Sequence, residues 1–280
     1  MTVTRAIRER QRDLSPAERK VADVIVSDPE RVAFGTVAVV AAAAGTGGAT
    51  VVRLADRLGY EGFRGLQAEI QAELSERLRP AAERIREPAA TDVAGRALAA
   101  SVDNLTATLG SLPGENVHAV GLALADRGHP VWILAGTADR APAVLLGDRL
   151  ALLRGDVEML TGTPVDVARA LALVGPDEVV VAIDLRRYER WVLEAAQHAA
   201  HRGARVVAIT DSLASPLARV AWNVFVVRAV GVAPFDSAVG TIALTEVLVA
   251  EVARHRRDDA TTRLAAIEAA WQAADVLVDR

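Results

Sequence analysis

Three polar segments, each directly after a run of apolar residues, carry side chains suited to binding a small anion. They span residues 136–140, 184–187 and 210–215, and they supply arginines, hydroxyls and turn backbone. Arginine binds carboxylates and phosphates through paired hydrogen bonds, and turns before helices offer free backbone amides. The residues predicted to contact such a ligand are Gly136, Thr137, Arg140, Asp184, Arg186, Arg187, Thr210, Ser212 and Ser215.

Two interpretations of the charges in these segments are open. Arg140, Arg186 and Arg187 converge on an anion, or nearby aspartates pair with them and close the pocket. Those aspartates are Asp139, Asp184 and Asp211. Ser215 precedes a proline and so also fits a helix start, which gives its hydroxyl a structural explanation.

A second group of residues, near position 50, could read DNA bases. Arg53 can bond O6 and N7 of guanine or clamp phosphates, and Thr50 can meet a thymine methyl group or a phosphate oxygen. Gly47 and Gly48 precede them at the start of the same predicted helix, the end that reaches base edges in a recognition helix. The basic residues predicted to contact phosphates are Arg19, Lys20, Arg57 and Arg64. Each one alone is equally explained as a solvated charge, but the set favours DNA binding.

The composition excludes several kinds of chemistry. The chain has no cysteine, which removes disulfides, thiolate catalysis and cysteine-ligated metals and makes the cytoplasm the expected compartment. Glu194, His198 and His201 fall on one helical face with spacing that a metal could use, but no second cluster completes a coordination shell. We expect a solvated helix face there, and neither a metal nor a cofactor.

Capping signals place Thr50 and Arg53 on the second of two short helices. Ser15, Pro16 and Glu18 form a capping-box pattern at the start of an earlier helix. Further helices are predicted over residues 29–34, 37–44 and 49–58, the last two joined by a turn at Gly45. Such a pair is a helix-turn-helix candidate. A longer helix then carries Leu66, Ile70, Leu74 and Leu78.

The rest of the chain has the pattern of an α/β domain. Residues 79–94, with two prolines, are predicted to form a linker. A helix with Leu98, Val102, Leu105 and Leu109 follows, and apolar strands are predicted over residues 131–135, 157–160, 179–183, 205–209 and 223–227. Because amphipathic segments alternate with these strands, we expect a doubly wound five-stranded parallel sheet over residues 95–255 and a C-terminal helix within 256–280. Ligands bind such sheets beyond the carboxyl ends of the strands.

Charge and hydropathy leave DNA binding open and argue against a membrane protein. The net charge is −4, but residues 1–80 hold 12 Lys and Arg against 11 Asp and Glu, so the positive balance lies in the N-terminal part. A local cluster decides DNA binding more than a total does. No apolar stretch approaches the roughly 20 residues of a spanning helix, and the first residues do not resemble a signal peptide.

The N-terminal segment resembles the DNA-binding domain of RpiR-type regulators. The resemblance covers about the first 78 residues and is carried by residues 14–20, 29–34, 49–53 and 58–63. Family members usually have a serine-glutamate pair where this chain has Gly47 and Gly48. Replacing a capping serine by glycine costs only a few tenths of a kcal/mol. We therefore expect an altered base preference and retained binding.

Residues 95–255 resemble the sugar isomerase (SIS) phosphosugar-binding domain. The resemblance is carried by Gly136, by residues 175–177 and above all by residues 199–212 and 215–218. In such domains a glycine-x-glycine-x-serine turn and a serine-x-serine-glycine turn hold the phosphate. Here they read GTADR at 136–140 and DLRR at 184–187, so that hydroxyls are lost and bulk is added. An ordinary sugar phosphate is expected to fit poorly.

The resemblances imply a sequence-specific DNA-binding transcriptional regulator that binds a pseudo-palindromic operator as a homodimer or tetramer. The SIS domain would supply oligomerisation and sense a small anionic metabolite. Two alternatives are a sugar-phosphate isomerase, with Glu246 and the histidines as candidate acid and base, and a DNA-binding dimer with a vestigial pocket. We expect no catalysis, because without phosphate loops the substrate would not be positioned.

Overall fold

The structure, a computed structural model, describes residues 3–10, 13–78, 81–86, 92–232 and 234–278. These residues form two compact units, one within residues 1–87 together with Ser212–Ala214 and the other within residues 88–211 and 215–280. The two units are described separately below. No single helix in the described part is long and apolar enough to cross a membrane. The pair Val37–Ala43 and Gly48–Leu58 would reach that length and composition only if joined across the 100° bend between them.

The N-terminal unit is entirely helical. Its helices are α1 (Val3–Arg10), α2 (Pro16–Ser27), α3 (Pro29–Phe34), α4 (Val37–Ala43), α5 (Gly48–Leu58), α6 (Gly62–Leu78) and the single turn α7 (Ala81–Arg84). The all-α class and the helix-turn-helix pair are confirmed. Helix α1 was not predicted from its charged sequence, yet it buries Val3, Ala6 and Ile7 in the core of this unit. Helix α7 lies inside the segment predicted as a linker, so part of that segment is helical.

The predicted capping box fixes the start of α2. The amide of Glu18 donates to Oγ of Ser15 at 3.3 Å, and the amide of Ser15 donates to Oε2 of Glu18 at 2.8 Å. Two orphan amides are thereby satisfied at the end of a helix that packs against α5. The helix bearing Thr50 is held in place partly through this contact.

Replacing Ser15 with alanine is expected to lower the free energy of unfolding of this unit by about 1 kcal/mol, because the capping hydroxyl is lost. The matched control is Ser27→Ala at the other end of α2, where the hydroxyl is exposed and lies 3.5 Å from its acceptor. Urea denaturation followed by circular dichroism measures both. An equal effect of the two substitutions would contradict the assigned role of Ser15.

The C-terminal unit is built on a parallel sheet of five strands in the order β2-β1-β3-β4-β5. The strands are β1 (Val131–Ala135), β2 (Val157–Met159), β3 (Val179–Ile183), β4 (Arg205–Thr210) and β5 (Asn223–Val226). The predicted doubly wound α/β class is confirmed, although β2 and β5 each end one residue earlier than predicted and β4 one residue later. In the register of the sheet, Val131 pairs with Val157 and Val179.

Helices cover both faces of this sheet. They are α8 (Val93–Gly110), α9 (Gly114–Ala125), α10 (Arg140–Leu153), α11 (Pro164–Leu171), α12 (Arg190–His201), α13 (Val239–His255) and α14 (Arg257–Ala273). One core joins Ile133 and Val181 to α9, α10 and α13, whereas the other joins Leu134 and Val180 to α11 and α12. The alternation of strand side chains between two cores explains why every strand is apolar.

Helix α8 turns its polar side inward. Asn104 exchanges two hydrogen bonds with the backbone of Val230, and Thr108 accepts one from the amide of Arg228 at 3.0 Å. Both polar side chains are buried. The opposite side of α8 exposes an apolar row, which we call the α8 row: Leu98, Val102 and Leu109. An exposed apolar row of this kind is typical of a surface that binds another protein.

Candidate nucleic-acid interface and ligand site

The turn between α4 and α5 has the geometry that the sequence predicts. Gly45 adopts a left-handed φ of 59°, which a residue with a side chain rarely adopts, and Gly59 ends α5 with φ of 95°. Gly47 takes the N-cap position of α5 and supplies no side-chain hydrogen bond. The amide of Thr50 donates to the carbonyl of Gly47 at 2.9 Å, whereas the amides of Gly48 and Ala49 remain available to an external acceptor such as a phosphate.

Helix α5 divides into a buried face and an exposed face. Its buried face holds Val51, Leu54, Ala55 and Leu58. Arg53 is exposed, and its Nη2 donates to Oγ1 of Thr50 at 3.2 Å. Thr50 itself is only 8% exposed. The geometry thus presents Arg53 outward and gives Thr50 the role of holding the guanidinium across one helical turn.

The basic residues predicted to contact phosphates differ in how they are placed. Arg19, Lys20 and Arg64 are exposed. Arg57 instead donates to the carbonyl of Asp13 at 2.6 Å, and its Nε lies 3.3 Å from a carboxylate oxygen of Glu18. Arg57 therefore ties α5 to the start of α2.

In the C-terminal unit, the predicted ligand segments meet at the carboxyl edge of the sheet. Residues Thr137–Asp139 form a short 3-10 turn after β1. A Cβ atom at Gly136 would lie 2.4 Å from Oδ1 of Asp184, so that the glycine is required for the close approach of the first two segments. The hydroxyl of Thr210 donates to the carbonyl of Asp184 at 2.9 Å. The three segments are therefore packed on one another.

The backbone amides of these segments are bound by the protein's own carboxylates. Asp139 accepts from the amide of Leu185 at 3.0 Å, and Asp184 accepts from the amide of Glu189 at 2.7 Å. Glu189 accepts from the amide of Thr137. Each of these amides is therefore already satisfied by a carboxylate and is not free to bind a ligand anion.

The side chains of the third segment, residues 210–215, are likewise engaged by groups of the protein itself. Asp211 accepts from the amide of Arg186 at 3.1 Å and from the hydroxyl of Tyr188 at 2.9 Å. The hydroxyls of Ser212 and Ser215 accept from amides two residues further on. We call Asp139, Asp184, Glu189 and Asp211 the acidic cluster. The sequence singled out its three aspartates, although as partners of the arginines, whereas Glu189 lies beyond the second turn and was missed.

Two members of the acidic cluster, Asp139 and Asp184, are costly to ionise. Burial, together with the neighbouring carboxylates, raises the pKa of Asp139 to about 6 and that of Asp184 to about 7. The hydrogen bonds from the amides of Leu185 and Glu189 act in the opposite direction but do not outweigh it. Burial also opposes ionisation of Glu189, but hydrogen bonds from Thr137 and Trp191 outweigh it and lower that pKa. A phosphate dianion placed here would meet like charge.

The raised pKa of Asp184 predicts a pH dependence of stability. The folded protein binds the proton of Asp184 more tightly than the unfolded chain does. The resulting contribution to the free energy of unfolding is complete below the ordinary carboxyl range near 4 and is lost as the pH rises through about 7. Relative to the natural protein, Asp184→Asn is therefore expected to gain on the order of 1 kcal/mol of unfolding free energy between pH 4 and 8. Thermal unfolding of both proteins across this range measures the difference. A constant difference between them would contradict the raised pKa.

The three arginines of these segments do not share one environment. Arg186 forms an ion pair with Asp236, with Nε 2.8 Å from Oδ2. Arg187 is exposed and has a left-handed φ of 68°. The guanidinium of Arg140, at the start of α10, makes no hydrogen bond or ion pair with the described residues. Of the three arginines, Arg186 is thus paired with an acidic residue, but its partner Asp236 was not singled out from the sequence.

A group of potential metal ligands lies elsewhere in this unit. His118 of α9 and Glu251 and His255 of α13 bring their ligand atoms within 4.8 Å of one another. Nη2 of Arg254 lies 2.6 Å from Glu251 and 3.0 Å from His118, so that a guanidinium already supplies a positive charge there. Sequence reasoning missed this group because its two helices are far apart in the chain. In the described part of the chain, Glu194, His198 and His201 do not form such a group.

Comparison with known proteins defines the class. Residues 1–77 match the model of the helix-turn-helix domain of the rpiR family, and residues 149–251 match that of the SIS domain. A helical DNA-binding unit followed by an α/β domain of this type is the architecture of a DNA-binding transcriptional regulator. The search of curated proteins found no match.

The solved structures that are similar to the chain include the following two. The sugar isomerase domain of an RpiR transcription factor from Sphaerobacter thermophilus is 30% identical, with a TM-score of 0.60 over 64% of this chain and 99% of that one. The Vibrio vulnificus NanR protein, complexed with ManNAc-6P, is 21% identical, with a TM-score of 0.58 over 99% of both chains, and shows the shared fold. The chain belongs to the RpiR family of transcriptional regulators.

Proposed function

We propose that this regulator binds double-stranded DNA as a homodimer or tetramer, with α5 of two chains in the major groove of a pseudo-palindromic operator. The observation that carries the proposal is the exposed side of α5, which presents Arg53 beside an uncapped helix start. An arginine here can bond one guanine in each half-site, whereas Arg19, Lys20 and Arg64 contribute phosphate contacts that carry no sequence information.

Footprinting of the DNA that flanks the gene tests this function. The full chain is expected to protect two segments on one face of the duplex, about 34 Å or a multiple of it apart. Ionic strength is held fixed, because phosphate contacts make affinity depend steeply on salt. Protection that is equal on unrelated DNA would contradict sequence-specific binding.

The α8 row supports oligomerisation through the C-terminal unit. A second copy of the chain is the occupant that fits, because one helix-turn-helix buries little surface and two linked copies are needed for a palindromic operator. A contact between equivalent α8 rows is isologous and closes as a dimer.

The C-terminal unit senses a small metabolite and does not act as an enzyme in this proposal. Its turns lack the hydroxyls of a phosphosugar site, and the acidic cluster binds their amides, so that a sugar phosphate is not held in position for catalysis. Incubation of the purified chain with a panel of aldose and ketose phosphates tests this point. Turnover of any of them would support the isomerase alternative instead.

A further inference from the structure

The C-terminal unit contains a cavity of about 500 Å³ between the sheet, α11 and α12. It opens beside the carboxyl ends of β1 and β2. Its lining is mainly apolar and includes Met159, Leu160, Val167, Leu171 and Ala195, with the indole of Trp191. A cavity of this size and character is typical of a site for a small organic molecule.

Three ionisable side chains also line this cavity. Arg140 carries a positive charge at the first residue of α10, where the partial positive charge of the helix end adds to it. Its charge lowers the pKa of nearby Glu189, but no hydrogen bond within the described residues engages the guanidinium. Glu194 and His198 lie one turn apart on α12. The cavity thus combines an apolar body with a single arginine.

These features define the chemistry of a ligand. The apolar walls favour a hydrocarbon chain or ring and disfavour a molecule rich in hydroxyls, which would lose hydrogen bonds to water. Arg140 can bind a carboxylate through two parallel hydrogen bonds. Glu194 and the neighbouring acidic cluster repel a second negative charge. A monoanion is therefore favoured over a phosphate dianion.

We propose that this cavity binds an apolar monocarboxylic acid, with its carboxylate on Arg140 and its hydrocarbon part between Val167, Leu171 and Trp191. The cavity shares Arg140 with the end of the turn at 136–140, but its lining includes no member of the acidic cluster and none of the amides that the cluster binds. The inference rests on the proposed function in one respect, because it makes this acid the metabolite that the regulator senses.

Direct binding to the full chain tests the assignment. The probes are octanoate and phenylacetate, compared with octanamide, glucose 6-phosphate and inorganic phosphate. Calorimetry and the fluorescence of Trp191, with Trp191→Phe to identify that signal, report on the cavity. Octanoate or phenylacetate is expected to bind at least 10-fold more tightly than octanamide, and the two phosphates are expected not to bind in the same range.

Two variants and a control locate the site. Arg140→Met is expected to weaken carboxylate binding at least 10-fold and to leave octanamide binding unchanged, whereas Ala168→Trp fills the cavity and abolishes both. Arg169→Met, on the exposed surface of α11 outside the cavity lining, is the matched control and is expected to bind as the natural chain does. Circular dichroism verifies that each variant is folded.

Several results would overturn the assignment. They are the lack of binding by both monocarboxylates to the folded chain, equal affinity in Arg140→Met, or binding of a sugar phosphate in place of the acids. DNA binding of the same preparation, measured without ligand, separates this inference from the proposed function. Carboxylate binding without DNA binding would contradict the regulator proposal and uphold the cavity, and the converse result would uphold the regulator and contradict the cavity.

Discussion

Replacing Arg53 with alanine is expected to weaken operator binding at least 30-fold. A bidentate contact of arginine with guanine contributes about 1–3 kcal/mol of discrimination, and a dimer loses it in both half-sites. Binding to unrelated DNA is expected to fall much less, because its affinity comes from phosphate contacts. Fluorescence anisotropy with operator and scrambled duplexes measures both affinities.

Two further variants make this prediction specific. Arg53→Lys keeps the positive charge but loses the guanidinium that makes two parallel hydrogen bonds. Its affinity for the operator is therefore expected to be close to that of Arg53→Ala, and its affinity for scrambled DNA close to that of the natural chain. Arg64→Ala, at an exposed position on α6, is expected to weaken both duplexes to a similar, smaller extent. Unchanged discrimination in Arg53→Ala would remove this residue from base readout.

Replacing Leu98 with aspartate is expected to convert the oligomer into monomers and to weaken operator binding about 100-fold or more, since each chain then contacts one half-site alone. A carboxylate buried at the centre of an apolar contact costs several kcal/mol. Analytical ultracentrifugation and anisotropy measure the two effects.

The matched control for this substitution is Leu173→Asp. Leu98 and Leu173 are both 67% exposed, but Leu173 follows α11 and lies outside the α8 row. The control is expected to retain the oligomer and the operator affinity. Equal behaviour of the two variants, or an oligomer that survives Leu98→Asp, would contradict the proposed contact between α8 rows.

Local signals were sufficient to predict much of the fold. The capping box at Ser15 and the glycines at 45 and 59 depend only on residues within one helical turn, and the structure has each where the sequence places it. The strands were equally easy to predict from the sequence, because a strand that is buried on both faces is a continuous run of apolar residues. Helix α1 was not predicted because its sequence is mostly charged and its buried side has only three apolar residues, too few to give a clear helical pattern.

The candidate site was less predictable, because it depends on contacts between segments. The turns at 136–140 and 184–187, which the sequence places after two strands of the sheet, are neighbours across Gly136 and Asp184. The partner of Arg186 and the acceptor for the amide of Thr137 could not be read from those turns, since Asp236 and Glu189 lie outside them. Likewise, the row of apolar residues on α8 does not reveal that buried Asn104 and Thr108 face the core.

The central claim is that Arg53 reads a guanine in each half of the operator, and methylation interference at guanine N7 tests it most directly. Methylation of one guanine in each half-site, at equivalent positions, is expected to block binding of the natural chain and to leave the residual binding of Arg53→Ala unaffected. Interference that is the same for both proteins, or that is absent from both half-sites, would contradict the placement of α5 in the major groove.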